Sequence, residues 1–551
     1  MEKVDNTPRD TVDSVDPVQT NEGGDETLSA DEILLRAQGH KGELPRQFSS
    51  FAALSLAFVI TNSWIGLCAT FVTPLILGGG PMVFFGVLVA AVACTIITAG
   101  LAELASAYPS SGGQYHFAFM VSSVKARAAA AFVTGWLSTL AWCLTSTSAS
   151  IFDAQMILAL ASFYNADFAP TQWQTYLIFL LITILAALVV CYAPRLLPAL
   201  EKFFFWCSLS GFLVAFITML AASRHKESAH VVFVEYNNQS GWSDGMSFVI
   251  AVGTCMYTFL ATDATTHIAE EVPDPGRHIP RVMILTMVIG FGTVMPFILA
   301  ILFSSNDLDA ISASALPILE VYYQATGSKG AAAFFTFWIL LNYFGATISC
   351  LATSGRLTWA FARDNGLPYS HFFARVHRTL ETPINATFAC ATFVVLYGLI
   401  YIGSTTAFNS IINMSILALN VSYVVPQGIL LYRGRNKVLP SRSFKLGPLG
   451  PFVNAFSCVW CTFYTIIFCF PTFLPAEVGS MNYVSVVVVG IIVIIAVLWY
   501  GGKRKTFVGP NLNFEGLEIT QEHLQEIQGH GHGHRHSEVL TDAASSSQKA
   551  A

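Results

Sequence analysis

Residues 255–272 read CMYTFLATDATTHIAEEV, and this stretch turns from apolar to polar within the length of one membrane span. A run of about 20 apolar residues crosses a bilayer as a helix, because a helix satisfies its own backbone hydrogen bonds. The apolar run that begins near Gly245 acquires Thr262, Asp263 and His267 before it ends. Burying such side chains is costly, so the pattern predicts a transmembrane helix that is interrupted near Asp263.

A second interrupted run lies nearer the N-terminus, where residues 55–71 read SLAFVITNSWIGLCATF. Its polar, aromatic and small residues at mid-span are Thr61, Asn62, Ser63, Trp64 and Gly66. Matching interruptions in two halves of a chain are typical of secondary transporters, where the free ends of half-helices bind a polar solute and a coupling ion. The simpler alternative is that these side chains only bond to their own or a neighbouring helix. A matched pair of clusters that includes an aspartate favours the binding site.

Apolar runs bounded by charge, proline or glycine predict twelve membrane spans. Numbered span 1 to span 12, they lie near Phe48 to Leu77, Met82 to Leu104, Ala128 to Leu160, Trp173 to Tyr192, Ala199 to Ala222, Gly245 to Ile268, Val282 to Phe303, Ala331 to Phe361, Ile384 to Ile402, Phe408 to Tyr432, Phe452 to Phe473 and Tyr483 to Tyr500. The composition, 54% hydrophobic and 11% charged, excludes a water-soluble fold. The predicted fold class is an all-α polytopic membrane protein with about 12 transmembrane helices.

The basic residues predict the orientation, because cytoplasmic loops collect Lys and Arg. The even-numbered connections carry Lys125, Arg127, Arg195, Arg277, Arg281, Arg363, Arg375, Arg378, Arg433, Arg435, Lys437, Arg442 and Lys445. The odd-numbered connections carry only Arg224, Lys226 and Lys329. Both termini are therefore predicted to be cytoplasmic, as an even number of spans requires.

The two ends of the chain differ in composition from the spans. Residues 1–46 hold 11 of the 34 acidic residues and are predicted to be a disordered cytoplasmic tail, in which residues 31–40 could form a short helix on the membrane. Residues 47–501 form the twelve-helix domain, and residues 502–551 a second disordered tail with a histidine run at 530–536. We expect no metal site there, because no ligand in the spans accompanies the run, and cytoplasmic regulators would act at these tails. No basic aromatic surface suggests a nucleic-acid partner.

Four motifs connect the sequence to a known family. They are TNSW with the following IG in span 1, AELASAYPSSGGQYHFA after span 2, YTFLATDATTHIAEEVPDPGRHIPR across span 6, and RLTWAFARDNGLP after span 8. The chain resembles the fungal amino acid/choline permeases of the amino acid, polyamine and organocation transporter superfamily, and the first motif is closer to the choline-like branch.

The resemblance implies a secondary active transporter of a small nitrogenous solute, a choline-like amine or an amino acid, in the plasma membrane. It implies two inverted five-helix repeats plus two peripheral helices, with the lipid bilayer as surroundings. It implies import driven by a proton gradient, without a cofactor. The substrate would lie between spans 1 and 6, held by Thr61, Asn62, Ser63, Trp64, Ile65, Gly66, Tyr257, Phe259, Ala261, Thr262 and Asn342.

One departure from the family bears on the substrate. Amino acid carriers of the superfamily often have glycines at the break in span 1, whereas this chain has Asn62 and Trp64 nearby. Glycine lets the backbone approach a carboxylate closely, so its absence favours a substrate without an α-carboxylate. Aromatic rings bind quaternary ammonium groups, and those that could surround the site are Trp64, Tyr257, Phe259, Trp338, Tyr343 and Phe344.

Ionisable residues inside the spans are functional candidates, because burying them is costly. Asp263, beside the predicted break, is the candidate coupling residue. Asp153 is predicted to reach the outer interface and to be solvated there. At the cytoplasmic helix ends, gating ion pairs with arginines such as Arg277 or Arg363 are predicted for Glu103, Glu270 and Glu271.

Other functional classes remain as alternatives. A nutrient receptor could keep the permease fold and signal through its tails. A membrane enzyme is disfavoured because the chain has neither a zinc-protease helix motif nor a nucleophile elbow, and a channel because it has no repeated pore motif.

The distribution of basic residues predicts that tags at both termini face the cytoplasm while the loop from Arg224 to Asp244 faces outward. That loop holds Asn238 in the glycosylation sequence NQS, close to span 6. A protease added to intact cells should therefore cleave a tag placed in this loop and spare the terminal tags. Protection of the loop tag would contradict the topology.

Overall fold

The computed structural model describes residues 35–36, 40, 42–165, 167–476 and 481–510, except for the side chains of residues 406–407 and 409–413. Most of the predicted tail helix at residues 31–40 and the whole histidine run at 530–536 lie outside the described residues.

Within the described residues, twelve helices are long and apolar enough to span a membrane, which confirms the predicted all-α polytopic fold class. They are Ser50–Thr70, Gly80–Ala107, Arg127–Tyr164, Gln172–Tyr192, Pro194–Ala222, Asp244–Glu271, Pro275–Ser304, Lys329–Arg363, Ile384–Gly403, Met414–Arg433, Gly447–Ile467 and Val484–Thr506. Shorter helices connect them at Val72–Gly78, Gln114–Val121, Ala229–Phe233, Leu308–Ala313, Pro317–Thr326, Ser370–Phe373 and Arg435–Val438. The described part of the chain contains no β-strand.

Local sequence signals set where several spans begin. The Ser49 hydroxyl accepts a hydrogen bond from Ala52 N at 3.2 Å, and so caps the free amide groups at the start of span 1. Thr171 and Gln174 form a capping box at the start of span 4. Pro81 and Pro275 stand in the first turns of spans 2 and 7. Amide groups of a first turn have no acceptor within the helix, so the hydrogen that proline lacks is not needed there.

Five spans form the interior of the bundle. In the most apolar 18-residue stretch of span 1, 83% of the residues are buried, and in spans 3, 6, 8 and 10 this share is 61–67%. In span 12 it is 11%, so this span lies at the periphery. Span 3 packs against spans 8 and 10, and span 2 packs against span 7. Both interrupted spans therefore lie at the centre. The inverted-repeat relation between the halves stays a prediction.

Charged side chains close one end of the bundle, which we call the inner end because the basic residues predict that it is cytoplasmic. Both carboxylate oxygens of Glu270 accept hydrogen bonds from Arg363, at 2.8 and 2.9 Å, which joins span 6 to span 8. Glu271 forms a second such pair with Arg356. Arginine forks match carboxylates in two hydrogen bonds, so these pairs fix the relative position of the two spans.

A third carboxylate at the inner end ties span 2 to the connection between spans 10 and 11. Glu103 is buried, and it binds both Arg435 and Arg442. Arg435 also donates to Asn454 in span 11. The predicted acidic residues are thus all paired in the structure, and their gating role stays a prediction.

The chain preceding span 1 covers this end. The Gln47 side chain donates to Glu271 at 2.7 Å, and His40 lies 2.9 Å from Asp364. Tyr115 donates a second hydrogen bond to Asp364 at 2.9 Å. Burial alone would raise the pKa of Asp364, but His40 and Arg363 more than offset it and hold that pKa below its usual value. Asp364 is therefore ionised and binds the N-terminal segment to the end of span 8.

The prediction for Asp153 is wrong. Its carboxyl group is fully buried between spans 3 and 8, where it accepts a hydrogen bond from Thr347 at 2.9 Å. Span 3 extends over Arg127–Tyr164, and it packs against span 8, so Asp153 lies within the bundle.

Asn238 lies in the loop before span 6, as predicted. Its amide nitrogen donates to Trp242 O at 2.8 Å and to Asp244 Oδ1 at 3.1 Å, and its oxygen accepts from Ser240. Glycosylation there stays a prediction.

Breaking the pair between Glu270 and Arg363 should destabilise the inner end. Glu270→Gln leaves the Arg363 guanidinium, whose side chain is only 11% exposed, without its counter-charge, which costs about 3 kcal/mol. The melting temperature of the detergent-purified protein should fall, and the swapped pair Glu270→Arg with Arg363→Glu should recover part of the loss.

The matched control is Arg277→Gln, which removes an exposed arginine of the same end that has no ion pair within the described residues. This change should alter stability by no more than about 0.5 kcal/mol. An equal effect of Glu270→Gln and Arg277→Gln would show that the buried pair does not hold the two spans together.

Candidate substrate and proton site

The break in span 1 is centred on Asn62. The helix Ser50–Thr61 ends there, the backbone of Asn62 takes a φ of 26°, and a new helix begins at Ser63. The Asn62 side-chain oxygen accepts a hydrogen bond from Ser208 of span 5 at 2.9 Å. A positive φ is uncommon for residues other than glycine, and asparagine is among those that tolerate it best.

The break in span 6 extends over several residues. The α-helix Asp244–Cys255 tightens into the 3₁₀ turn Met256–Phe259, and the chain then passes through Ala261, whose φ is 65°, before the 3₁₀ helix Ala264–Glu271 begins. The two breaks adjoin, since a Cβ atom built on Gly66 would lie 3.6 Å from Thr258 Cα. Each break leaves helix ends with free backbone groups, to which a polar solute can bind.

A central cavity lies between the two breaks, with a volume of about 40 Å³ open to water-sized molecules. It is lined by Val59, Ile60, Thr61, Asn62, Ile65, Gly66, Thr145, Ala149, Tyr257, Leu260, Ala261, Asn342, Tyr343, Ala346 and Cys350. Seven of the eleven predicted substrate residues are in this lining: Thr61, Asn62, Ile65, Gly66, Tyr257, Ala261 and Asn342. Spans 3 and 8 supply the residues that complete it.

The other four predicted residues point elsewhere. Trp64 donates from its ring nitrogen to Ser208 at 2.9 Å, and its ring packs edge-on against Phe297. Ser63 lies against Gly290 of span 7. Phe259 and Thr262 line a smaller space on the other side of span 6, beside span 10.

The aromatic surroundings of the cavity are narrower than predicted. Of the six rings considered, Tyr257 and Tyr343 line the cavity, whereas Trp64, Phe259, Trp338 and Phe344 do not. Trp338, for example, donates to Cys207 O at 2.9 Å. Any ring contact with a cation at this site would therefore come from the two tyrosines.

Charged side chains are missing from this cavity. Among the residues of the described chain that line it, none is Asp, Glu, Lys, Arg or His. A solute that binds here would meet tyrosine rings, hydroxyl and amide groups and the ends of half-helices.

A second cavity, of about 290 Å³, adjoins the first on the side away from the inner end. It reaches residues of the connection after span 11, including Phe470 and Asn482. Tyr257 lines both cavities, and its hydroxyl forms a hydrogen bond of 2.9 Å with Ser148 of span 3. This bonded pair lies between the two spaces.

Asp263 is the centre of a buried polar cluster at the inner side of the break. Its carboxylate accepts hydrogen bonds from Gln114 at 2.8 Å, Trp142 at 3.1 Å and Tyr423 at 2.5 Å. His267 Nε2, one helical turn along span 6, lies 3.0 Å from it. The four partners come from four segments of the chain, so this carboxylate joins span 6 to spans 3 and 10 and to the helix Gln114–Val121.

The His267 ring stands between two oxygens that can each accept a hydrogen bond from it. Its Nδ1 lies 3.1 Å from the backbone oxygen of Ser111, which can only accept, and its Nε2 faces the Asp263 carboxyl group. A neutral imidazole has one N–H and can satisfy one of two acceptors. Both oxygens receive a hydrogen bond together only when the pair Asp263–His267 holds one proton more than a neutral ring beside a carboxylate, so the pair is a candidate proton site.

The glycine pair of the motif PSSGGQ has a direct role in this cluster. Gly113 has a φ of 55°, and a Cβ atom there would lie 2.7 Å from the His267 ring. Only glycine combines this backbone conformation with the close approach. The loop thereby brings Gln114 and the Ser111 oxygen to the pair Asp263–His267.

Sequence reasoning did not identify several of these residues. It singled out Asp263 but not its donors Gln114, Trp142 and Tyr423, and it missed Thr145, Ala149, Ala346 and Cys350 of the cavity wall. The four-residue spacing of Asp263 and His267 was a usable signal, because such residues share a helix face. The small wall residues gave none, since small residues also occur wherever spans pack closely.

The chain is similar in sequence to several fungal transporters and permeases. The chain is 35% identical to the choline transporter of Saccharomyces cerevisiae, over 91% of this chain and 88% of that protein. It is 31% identical to an amino-acid permease of Schizosaccharomyces pombe, over 87% and 89% of the two chains, and 30% identical to the swainsonine transporter of Arthroderma benhamiae, over 84% and 92%. The amino acid permease family profile matches residues 51–497. The chain therefore belongs to the amino acid permease family, whose members are membrane transporters and not enzymes.

Proposed function

We propose that this protein imports a choline-like amine across the plasma membrane by secondary active transport coupled to protons, with both termini in the cytoplasm. The observation that carries the proposal is the uncharged central cavity at the junction of the two helix breaks, with a proton-holding pair behind it. An amino acid is the second candidate substrate.

The chemistry of the cavity favours a quaternary amine. Tyr257 and Tyr343 offer ring faces, which attract a cation without requiring a buried counter-charge. The first half of span 1 ends at Asn62 with its carbonyl groups towards the break, and this end of a helix carries partial negative charge. The name of the yeast choline transporter, at 35% identity, points to the same class of solute.

The proposed coupling rests on the extra proton held by Asp263 and His267. This pair lies at the inner side of the break, whose outer side faces the cavity through Ala261. A conformational change that separates the two side chains, or that admits water to them, releases the proton to one side of the membrane. Substrate and proton can then move in the same cycle, because both are bound by the same broken helix.

The closed inner end and the larger second cavity suit one state of such a cycle. The pairs Glu270–Arg363 and Glu271–Arg356 close one side, while the second cavity approaches the other side as far as Tyr257. Import requires the ion pairs to separate and the inner end to open.

Uptake into cells that lack their own permeases tests the assignment and separates a transporter from a receptor. Radiolabelled choline should accumulate, and unlabelled ethanolamine, GABA, polyamines and amino acids should be compared as competitors. A receptor would produce signalling without accumulation of any label.

For a quaternary amine, Tyr343→Ala should raise KM about 2- to 30-fold, because a ring face contributes about 0.5 to 2 kcal/mol to binding the cation. Tyr343→Phe keeps the ring and should transport with a KM close to that of the wild type. The matched control is Phe344→Ala, the next residue of the same span, which does not line the cavity. An unchanged KM in Tyr343→Ala would contradict a ring contact with the substrate.

Replacing Asp263 should separate exchange from accumulation. In Asp263→Asn the amide oxygen can accept from Gln114 and Trp142 while the amide nitrogen donates to the Tyr423 hydroxyl, so the cluster can persist without the titrating carboxyl group. We expect a folded protein that exchanges bound substrate yet cannot concentrate it.

The measurement is uptake by proteoliposomes with an imposed pH gradient. If Asp263 only caps the half-helix, Asn serves as well and concentrative uptake persists. Accumulation at the wild-type level by Asp263→Asn would exclude the coupling role.

A further inference from the structure

Glu201 of span 5 is a buried carboxyl group that belongs neither to the central cavity nor to the cluster around Asp263. It is 1% exposed, and its two oxygens lie 2.8 and 2.9 Å from one hydroxyl group, that of Ser349 in span 8. The same hydroxyl lies 2.8 Å from Gly345 O, one turn back along span 8. Among the residues that the structure describes, Glu201 therefore has one hydrogen-bonding partner, Ser349, whereas Asp263 has four polar partners.

The number of hydrogens available for these contacts indicates the protonation state of Glu201. If Ser349 donates its single hydrogen to Gly345 O, Glu201 must itself be the donor and carry a proton. If Ser349 donates to Glu201 instead, an ionised carboxylate would be buried with one hydrogen bond, which is strongly unfavourable. The neutral, protonated form is the one that suits the closed conformation.

Glu201 also faces the ion pair between Glu271 and Arg356 at the inner end, which we call the lock. Arg356 is seven residues beyond Ser349, about 10.5 Å along the same helix. Its guanidinium binds Glu271 and donates to Ala352 O at 3.2 Å, on the side towards Ser349. Among the described residues, Arg356 is the charged side chain that interacts electrostatically with Glu201. The Cys350 thiol is the other titratable group beside Glu201.

Span 5 connects this carboxyl group to the break in span 1. Ser208 is two turns from Glu201, and it donates to Asn62 at 2.9 Å while accepting from Trp64. Cys350, next to Ser349, lines the central cavity. A change at the cavity can therefore reach Glu201 through spans 5 and 8.

We propose that Glu201 is a second proton-binding residue, which holds its proton while the inner end is closed and, once ionised, draws Arg356 away from Glu271. The proton passes from the Glu201 carboxyl group to water that enters from the inner end. The resulting carboxylate then replaces Glu271 as the partner of Arg356, so loss of the proton favours the open lock. This inference rests on the proposed transport function, because it assigns a step of the same cycle.

The test variant is Glu201→Gln, which keeps the neutral shape and removes the titration. It should retain the closed state and bind substrate normally. Both exchange and net uptake should fall about tenfold or more, because Arg356 no longer has an ionised alternative to Glu271. This pattern differs from that expected of Asp263→Asn, which keeps exchange.

Asp153→Asn is the matched control. Asp153 is also buried, and it accepts a hydrogen bond from a single hydroxyl of span 8, that of Thr347, at 2.9 Å. Unlike Glu201, it has no electrostatic interaction with an arginine of the described residues. Its replacement should leave exchange and uptake within about twofold of the wild type. Equal losses in the two variants would show that any buried acid beside span 8 matters, and would overturn the specific role of Glu201.

Hydrogen–deuterium exchange of purified protein reports on the lock without requiring transport. Peptides that contain Glu271 and Arg356 should exchange faster as the pH rises in the wild type, after correction for the intrinsic rate at each pH, and Glu201→Gln should abolish this dependence. A wild type that transports no amine but keeps this pH dependence would contradict the transport proposal alone. The same pH dependence in Glu201→Gln, or transport at the wild-type rate by that variant, would overturn the inference about Glu201.

Discussion

A helix that breaks inside a membrane must find partners for the backbone groups it frees, since the hydrocarbon offers none. In this structure the constraint applies at two adjoining points, Asn62 and Ala261, and the most buried spans surround both of them and shield them from lipid. Ser208 binds the Asn62 side chain at the first break, and Asp263, next to the second, accepts hydrogen bonds from Gln114, Trp142 and Tyr423 and faces His267. The positions of spans 3, 5, 8 and 10 around spans 1 and 6 follow from this requirement.

Much of the architecture could be predicted from local sequence. The number of spans follows from hydropathy, and the two interruptions follow from polar residues that an unbroken apolar helix would exclude, such as Asn62 and Asp263. The order of basic residues along the connections also predicts an orientation, which stays a prediction. These features depend on residues close together in the chain, so one sequence is enough to find them.

The rotation of each span about its axis could not be predicted. Trp64 is only two residues from Asn62, yet Trp64 turns to Phe297 while Asn62 lines the cavity. Asp153 is buried although its sequence position indicated the interface. Partners such as Arg356 and Arg435 are distant in the chain from the acids they bind. These outcomes depend on packing between spans, which leaves no periodic trace in the sequence of either partner.

The uncharged wall of the central cavity has a consequence for how solute preference diverges within a family. A charge that is added or removed at mid-membrane changes the free energy of insertion by about 2.5 to 3.5 kcal/mol, and so affects folding along with recognition. Exchanges among Ala, Cys and Thr at Thr145, Ala149, Ala346 and Cys350 alter the space by one small group and leave insertion almost unchanged. Under the proposed function, successive small changes of this kind reshape the accepted solute while the membrane fold stays intact, so that the products of duplicated genes come to carry new solutes by single-residue steps.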